Sequence, residues 1–166
     1  MLEAMKENPY MEIRRAKEKD IPRIDELLSQ VLEIHAAIRP DIFISGTRKY
    51  TDEELKAILS DEKTQVFAAV NEQDVLIGYA FCVMNDYSGS NNLQPIHSLY
   101  IDDLCVDASC RHLHVGRALY EYVLAYAKEQ GCYSVTLNVW EGNDSSRAFY
   151  EKMGFGIQKT VMEKIL

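Results

Sequence analysis

The sequence predicts a mixed α/β (α+β) fold: one domain over residues 1–166, with a mostly antiparallel central sheet that contains one parallel strand pair, flanked by about four helices. Three observations predict it. The apolar runs Gln65 to Val70 and Val75 to Met84 are joined by the turn-forming Asn71-Glu-Gln-Asp74, which is the pattern of an antiparallel hairpin. The strand-like segments Leu99 to Val106 and Tyr133 to Val139 flank a helical periodicity, and a β-helix-β unit of this kind places its strands parallel. With 166 residues, 47% of them hydrophobic, the chain holds enough apolar material for a single core.

In chain order, residues 1 to 10 form a poorly specified lead-in and Met11 to Arg15 a short strand. Asp20 then starts a helix, with Ile21, Ile24, Leu28, Val31, Leu32 and His35 on one face and Pro22 tolerated in the first turn. The stretch His35 to Phe43 leaves that helix, because Pro40 disfavours helix at Arg39. It is either one wall of a cleft, with His35 and Asp41 as candidate substrate contacts, or a core-facing helix end. Thr51-Asp-Glu-Glu54 is a capping box opening a second helix that turns Leu55, Ile58 and Leu59 inward. Asp86 to Pro95, rich in Gly, Ser and Asn, is the most loop-like segment.

Val115, Ala118, Leu119, Tyr122, Val123, Tyr126 and Ala127 share one helical face, and Gly131 closes that helix. Tyr133 to Val139 alternates Val135, Leu137 and Val139 inward. Asn143-Asp-Ser-Ser caps a last helix with Ser146, Phe149, Tyr150 and Met153 on its inner face and Gly154 at its end. Phe155 to Leu166 is expected to supply the remaining strands.

Chemistry is concentrated in residues 98 to 127. The strand from Leu99 to Val106 is apolar except for Asp102 and Asp103. Strict alternation puts Asp102 on the side of Tyr100 and Leu104 and sends Asp103 to the other face, as a structural partner for an arginine. A short loop carrying Arg111 follows, and then the helix whose first turn contains Gly116 and Arg117. Unpaired N–H groups and the positive end of the helix dipole converge there, which favours phosphate.

Arg111-x-x-His114-x-Gly116-x-Ala118 resembles the Arg/Gln-x-x-Gly-x-Gly/Ala signature of the GNAT family of N-acetyltransferases, which cradles the pyrophosphate of acetyl-coenzyme A. His114 stands in place of the first glycine, and His112 where members often have another, so the loop is stiffer or adds imidazole donors. Asn143, Ala148, Tyr150, Gly154 and Phe155 match the Asn...Ala-x-x-Tyr-x-x-x-Gly-Phe pattern near the end of the same family. The order of elements before these motifs extends the likeness to nearly the whole chain. Leu99-Tyr-Ile-Asp-Asp-Leu104 is similar to the corresponding strand of small diamine and polyamine acetyltransferases.

The resemblance implies a sheet splayed beside that strand and an acetyl-coenzyme A-dependent N-acetyltransferase acting by direct attack of an amine on the thioester. It implies coenzyme contacts at Leu104, Cys105, Val106, Arg111, His112, His114, Val115, Gly116, Arg117, Ala118, Asn143 and Tyr150. Tyr150 becomes the acid for the departing thiolate. Asp102 becomes the base, or else the site that binds a cationic substrate together with His35, Asp41 and Tyr100. Likeness to a frequently dimeric family, with exposed edge strands after Phe155, implies a homodimer. Other readings remain open: a catalytically degenerate acetyl-coenzyme A sensor, an acetyltransferase for protein N-termini or lysines, and an unrelated phosphate-binding module. The last lacks a Gly-x-x-x-x-Gly-Lys-Ser/Thr or Gly-x-Gly-x-x-Gly run.

Composition narrows the partners. With 26 acidic residues against 18 basic ones, the net charge is −8, which disfavours nucleic acid and suits a small cationic substrate. No apolar run reaches the ~20 residues of a membrane span and no signal-peptide core is visible, so a soluble, cytoplasmic protein without membrane attachment is expected. Cys82, Cys105, Cys110 and Cys132 have no metal-ligand spacing and read as reduced thiols. His112-x-His114 lacks a third ligand nearby, so no metal is expected.

Overall fold

A computed structural model describes residues 11–166; the lead-in expected at residues 1 to 10 lies outside them. Five strands form one sheet in the order β1-β2-β3-β4-β5. β1 (Met11–Arg15), β2 (Thr64–Asn71), β3 (Leu76–Asp86) and β4 (His97–Val106) pair antiparallel, and β5 (Ser134–Leu137) runs parallel to β4. Four α-helices accompany them: α1 (Ile21–Ile38), α2 (Asp52–Ser60), α3 (Val115–Glu129) and α4 (Asp144–Lys152).

The sheet is covered on both faces, which explains why its middle strands read as continuous apolar runs. Along β2, Val66, Ala68 and Val70 face α1 and α2, where they meet Ile24, Leu27, Leu28 and Leu55. Phe67 and Ala69 face α3, where they meet Leu119, Val123 and Ala127. The stripe of α1 is broader than its sequence periodicity suggested, since Leu27 and Ala36 are buried with Ile21, Ile24 and Leu28, while Val31 and His35 are half-buried. Leu27 is fully enclosed. On α2 the capping box is formed: the Glu54 N–H donates to Thr51 Oγ1 at 3.2 Å and the Thr51 N–H donates to Glu54 Oε2 at 2.7 Å.

At the start of α1, Asp20 is buried but not uncompensated. The Arg14 guanidinium donates to both of its oxygens, at 2.7 and 3.0 Å, and the Lys17 N–H donates at 2.7 Å. Burial pushes this carboxyl up; Arg14 and Lys17 outweigh it and hold it below its ordinary value.

Two irregularities position the site. Opposite β3, Phe81 pairs with Asp103 while Cys82 pairs with Ile101, so Asp102 is an extra residue, a β-bulge. The bulge breaks strict alternation, and the separation of Asp102 and Asp103 onto opposite faces expected from the sequence does not occur. The second irregularity is the splay: β5 pairs with β4 only from Ser98 to Ile101. Beyond Ile101 no strand among the described residues pairs with the edge of β4 facing β5, and β5 ends at Leu137, short of the Val139 that periodicity suggested.

The C-terminal segment departs furthest from expectation. Residues 155 to 166 form no strand, so the strands expected from Phe155 to Leu166 are absent from this chain's sheet. Ile157, Val161, Met162 and Ile165 are each at least 77% exposed. Two side chains tie the segment down: the Phe155 ring lies 5.6 Å from Tyr150, and Glu163 pairs with Arg39 at 2.8 Å. Among the described residues, no helix is long and apolar enough to cross a membrane.

Candidate active site

The site begins at the N-terminus of α3. The earliest intrahelical bond runs from the Ala118 N–H to the His114 carbonyl at 3.0 Å, so the N–H groups of Val115, Gly116 and Arg117 are left without helix acceptors. His114 offers no side-chain cap. His112 and His114 both adopt left-handed backbone, with φ of 75° and 60°, the conformation that glycine takes at least cost. Their presence therefore preserves a glycine-type loop at the cost of some strain. A Cβ at Gly116 would meet Val106 Cγ2 at 3.5 Å and the Phe149 ring at 3.8 Å, so Gly116 sits where α3, α4 and the end of β4 come together. Among the described residues Arg111 has no carboxylate partner, while Arg117 is bound to Glu121 at 2.7 Å.

From Val106 the unpaired edge of β4 leads back to the bulge. Leu104, Cys105 and Val106 pair with Ala80, Tyr79 and Gly78 of β3 on one side and face the splay on the other. Their outward backbone groups suit an extended, amide-bearing ligand laid in as an extra strand. Together the strand groups, the three helix N–H groups and Arg111, all without partners among the described residues, fit a pantetheine-phosphate ligand.

At the bulge two carboxylates meet one ammonium. Lys49 Nζ lies 3.2 Å from Asp102 and 4.0 Å from Asp103. The Asp103 side chain is only 10% exposed against 35% for Asp102. Burial raises the Asp103 carboxyl to about 6, even though Lys49 and the Tyr79 hydroxyl, which donates at 3.2 Å, pull the other way. Burial also pulls the Lys49 ammonium down, but Asp103 and Asp102 outweigh it and keep it charged. Its charge also lies 5.1 Å from the centre of the Tyr50 ring. A cavity of about 220 Å³ opens beside this group, lined by Tyr50, Ile58, Thr64, Phe81, Val83 and Asp102.

Tyr150 comes from α4, whose start is capped by Asn143; Asn143 Oδ1 accepts the Ser146 N–H at 3.3 Å. The Tyr150 ring is held edge-on between Phe149 and Phe155. Burial, then Asp103 and Cys82, push its phenol above the ordinary value, which keeps it protonated. The Tyr100 hydroxyl accepts from Asn138 Nδ2 at 3.0 Å. Burial and then Lys49 lower the His35 pKa, and the ring stacks 5.1 Å from Phe43, which meets Trp140 edge-on at 5.4 Å. Asp41 is not gathered in; Arg39 takes both its oxygens at 2.9 and 2.7 Å. Among the described residues no three His, Cys, Asp or Glu side chains converge as for a metal. Cys82 and Cys105 are buried, and burial pushes each thiol up to about 12.

Sequence reasoning missed Lys49, Tyr50 and Tyr79. Tyr79 carried a signal: a tyrosine inside the apolar run Leu76 to Met84 needs a buried acceptor for its hydroxyl. Lys49 sits in an irregular loop with no periodicity, so nothing in the pattern pointed its side chain at Asp102.

Comparison with known proteins bears on this geometry. The Acetyltransferase (GNAT) family profile matches residues 28–155. A peptidyl-lysine N-acetyltransferase of Escherichia coli, YjaB, is 27% identical over 120 residues, 69% of each chain. A glucosamine 6-phosphate N-acetyltransferase of Arabidopsis thaliana is 26% identical over 142 residues, covering 84% of this chain and 85% of the relative. The crystal structure of a point mutant of the BH1408 protein from Bacillus halodurans superposes with a TM-score of 0.89 at 31% identity, over 93% of this chain and 99% of that one.

Proposed function

Because the chain belongs to the GNAT family of acetyltransferases and is an N-acetyltransferase, we propose that it acetylates a primary amine of a small cationic molecule, with acetyl-coenzyme A as donor. The observation that carries this reading is the carboxylate pair Asp102 and Asp103 at the end of the unpaired stretch of β4 that leads from the α3 N-terminus. Acetyl-coenzyme A would supply the activated acetyl group as a thioester. The N–H groups of Val115, Gly116 and Arg117, with Arg111, His112 and His114, hold its phosphates, and Ala118 closes the first turn beneath them. Leu104, Cys105 and Val106 hold its amide arm through their backbone, and Asn143 meets the same arm.

The acceptor ammonium docks on Asp102, the more exposed carboxylate, against Tyr100 and His35. An amine attacks only when neutral, so its proton must leave. Asp102 accepts it in direct contact, or Asp103 through water, the latter tuned to about 6 and therefore half-ready as a base. Tyr150, held protonated, returns a proton to the departing thiolate. A second reading, in which the acceptor is a lysine of a polypeptide, is favoured by the likeness to the Escherichia coli peptidyl-lysine enzyme.

The same reading places the enzyme in the cytoplasm as a homodimer. The support is twofold: the exposed apolar residues Ile157, Val161, Met162 and Ile165, and a β5 edge with no further strand among the described residues. A dimer mass in light scattering at micromolar concentration is expected, and a monomer mass refutes this part.

The enzymatic test is a panel of diamines, polyamines, amino sugars and lysine peptides assayed by thiol release from acetyl-coenzyme A. Turnover of the diamines and polyamines is expected. Turnover confined to lysine peptides installs the second reading, and coenzyme binding without turnover of any amine overturns both. Gly116→Asp, which puts a carboxylate among the phosphate donors, should abolish coenzyme binding in a folded protein; unchanged affinity removes the α3 site.

A further inference from the structure

We propose that Lys49 is an internal acetyl acceptor, modified in cis by the site it points into. The inference rests on the reading above and deepens it. The Lys49 ammonium is the group already found where a substrate amine would dock: 3.2 Å from Asp102, 4.0 Å from Asp103, beside the Tyr50 ring. Its side chain keeps 39% of its surface in solvent, but its charged end is turned onto the two carboxylates. Solvated lysines on loops keep their charge in water at little cost. This one gives up part of its hydration, a loss offset by two carboxylates, one of them 10% exposed, and by the face of the Tyr50 ring.

Geometry brings the donor to the same point. Between the α3 N-terminus and the bulge lies only the free edge of Leu104 to Val106, about 10 Å of strand. An arm that follows this edge from phosphates at Gly116 ends beside Asp103. Burial and the Asp103 charge keep Tyr150 protonated, as the acid must be. Acceptor and base therefore already meet without an added substrate. No other lysine of the described residues pairs with either carboxylate.

The step balances. A proton passes from Lys49 Nζ through water to Asp103, the neutral amine attacks the thioester carbonyl, an amide C–N bond forms and the C–S bond breaks. The thiolate leaves with a proton from Tyr150, giving N-acetyl-Lys49 and coenzyme A, with acetyl-coenzyme A as the co-reactant. The product amide is uncharged and no longer competes for Asp102 and Asp103. The modification thus discharges an occupant that blocks the cation site.

The test uses the whole protein incubated with acetyl-coenzyme A alone, digested and read by mass spectrometry for the acetylated position. The expected result is Lys49 acetylated at least about tenfold faster than Lys128 or Lys152, with a rate independent of protein concentration, and slowed about tenfold or more in Asp103→Asn. Lys49→Arg should abolish the modification at this position while keeping the positive charge. The proposal is overturned if Lys49 stays unmodified while the same preparation acetylates a free amine. It is equally overturned if Lys49 reacts no faster than the other lysines, or as fast in urea-unfolded chain. If neither Lys49 nor any free amine is acetylated, the acetyl-transfer reading fails first and this inference with it.

Discussion

The half of the molecule before the bulge and the half after it are built to different standards. In the first, β2 and β3 are buried on both faces, and Leu27, Leu55, Phe67 and Tyr79 are all but sealed from water. In the second, β5 is four residues long, α4 contains no fully buried side chain, and residues 155 to 166 form no element. Yet every side chain assigned to chemistry except His35, Lys49, Tyr50 and Tyr79 comes from β4 or later. The difference teaches that the sheet is sealed by α1 and α2 on one face and by α3 on the other, whereas β5, α4 and the segment after Phe155 are a frame completed by what it binds: free N–H groups, a free strand edge and a half-open cavity are all waiting contacts.

Breaking the well-packed half should have the largest effect. Leu27→Ala should cost about 2–5 kcal/mol by urea denaturation, whereas Val135→Ala in β5 should cost about 1 kcal/mol or less. Equal costs would erase the contrast. Tyr150→Phe keeps the ring contacts and removes only the hydroxyl, so kcat should fall by about 10²-fold, near 2.7 kcal/mol, with coenzyme affinity unchanged. Full kcat under chemistry-limited conditions would show that solvent protonates the thiolate.

Coenzyme at about 100 times its Kd should add about 2.7 kcal/mol of stability. Hydrogen exchange should slow at Leu104 to Val106 and Val115 to Ala118 far more than in β2 or β3, which are already protected. Uniform slowing would mean that the two halves unfold as one unit.

The next effect is pH-dependent. In the unfolded chain the Asp103 carboxyl ionises near 3.8, in the folded chain only near 6. Its contribution to stability is therefore fully present below 3.8 and is lost as pH rises through 6. Asp103→Asn should gain about 1–3 kcal/mol over the parent at pH 8 and nothing at pH 3.5, the lower end reflecting the lost pair with Lys49. A pH-independent difference would show that Asp103 titrates normally. The smallest effect is His114→Gly, which relaxes a φ of 60° and should stabilise by up to about 1 kcal/mol, measured by thermal melting.

The same division governs what could be read in advance. Periodicity and capping chemistry specified the well-packed half: the Thr51 to Glu54 box and the hairpin around Asn71 to Asp74 are local patterns with local outcomes. The α3 and α4 motifs were legible too, because caps and glycines fix helix ends. Three features were not. A bulge leaves no trace in an apolar run, so alternation assigned Asp103 to the wrong face. The reach of Lys49 depends on the path of a loop of more than ten residues. The segment after Phe155 has strand-like composition, but strand formation needs a partner edge, and composition does not say whose.

The bulge at Asp102 also bears on how such a chain changes over generations. Since Ile101 and Asp103 already face adjacent residues of β3, excising the codon for Asp102 would close the ladder without moving any other pair. A length change of one residue inside a central strand normally inverts every side chain beyond it. Here it would subtract a single carboxylate from the cleft and leave the sheet in register. Acceptor preference can thus be gained or lost at this point by insertion and deletion, a kind of variation that in the regular stretches of the sheet would destroy the fold.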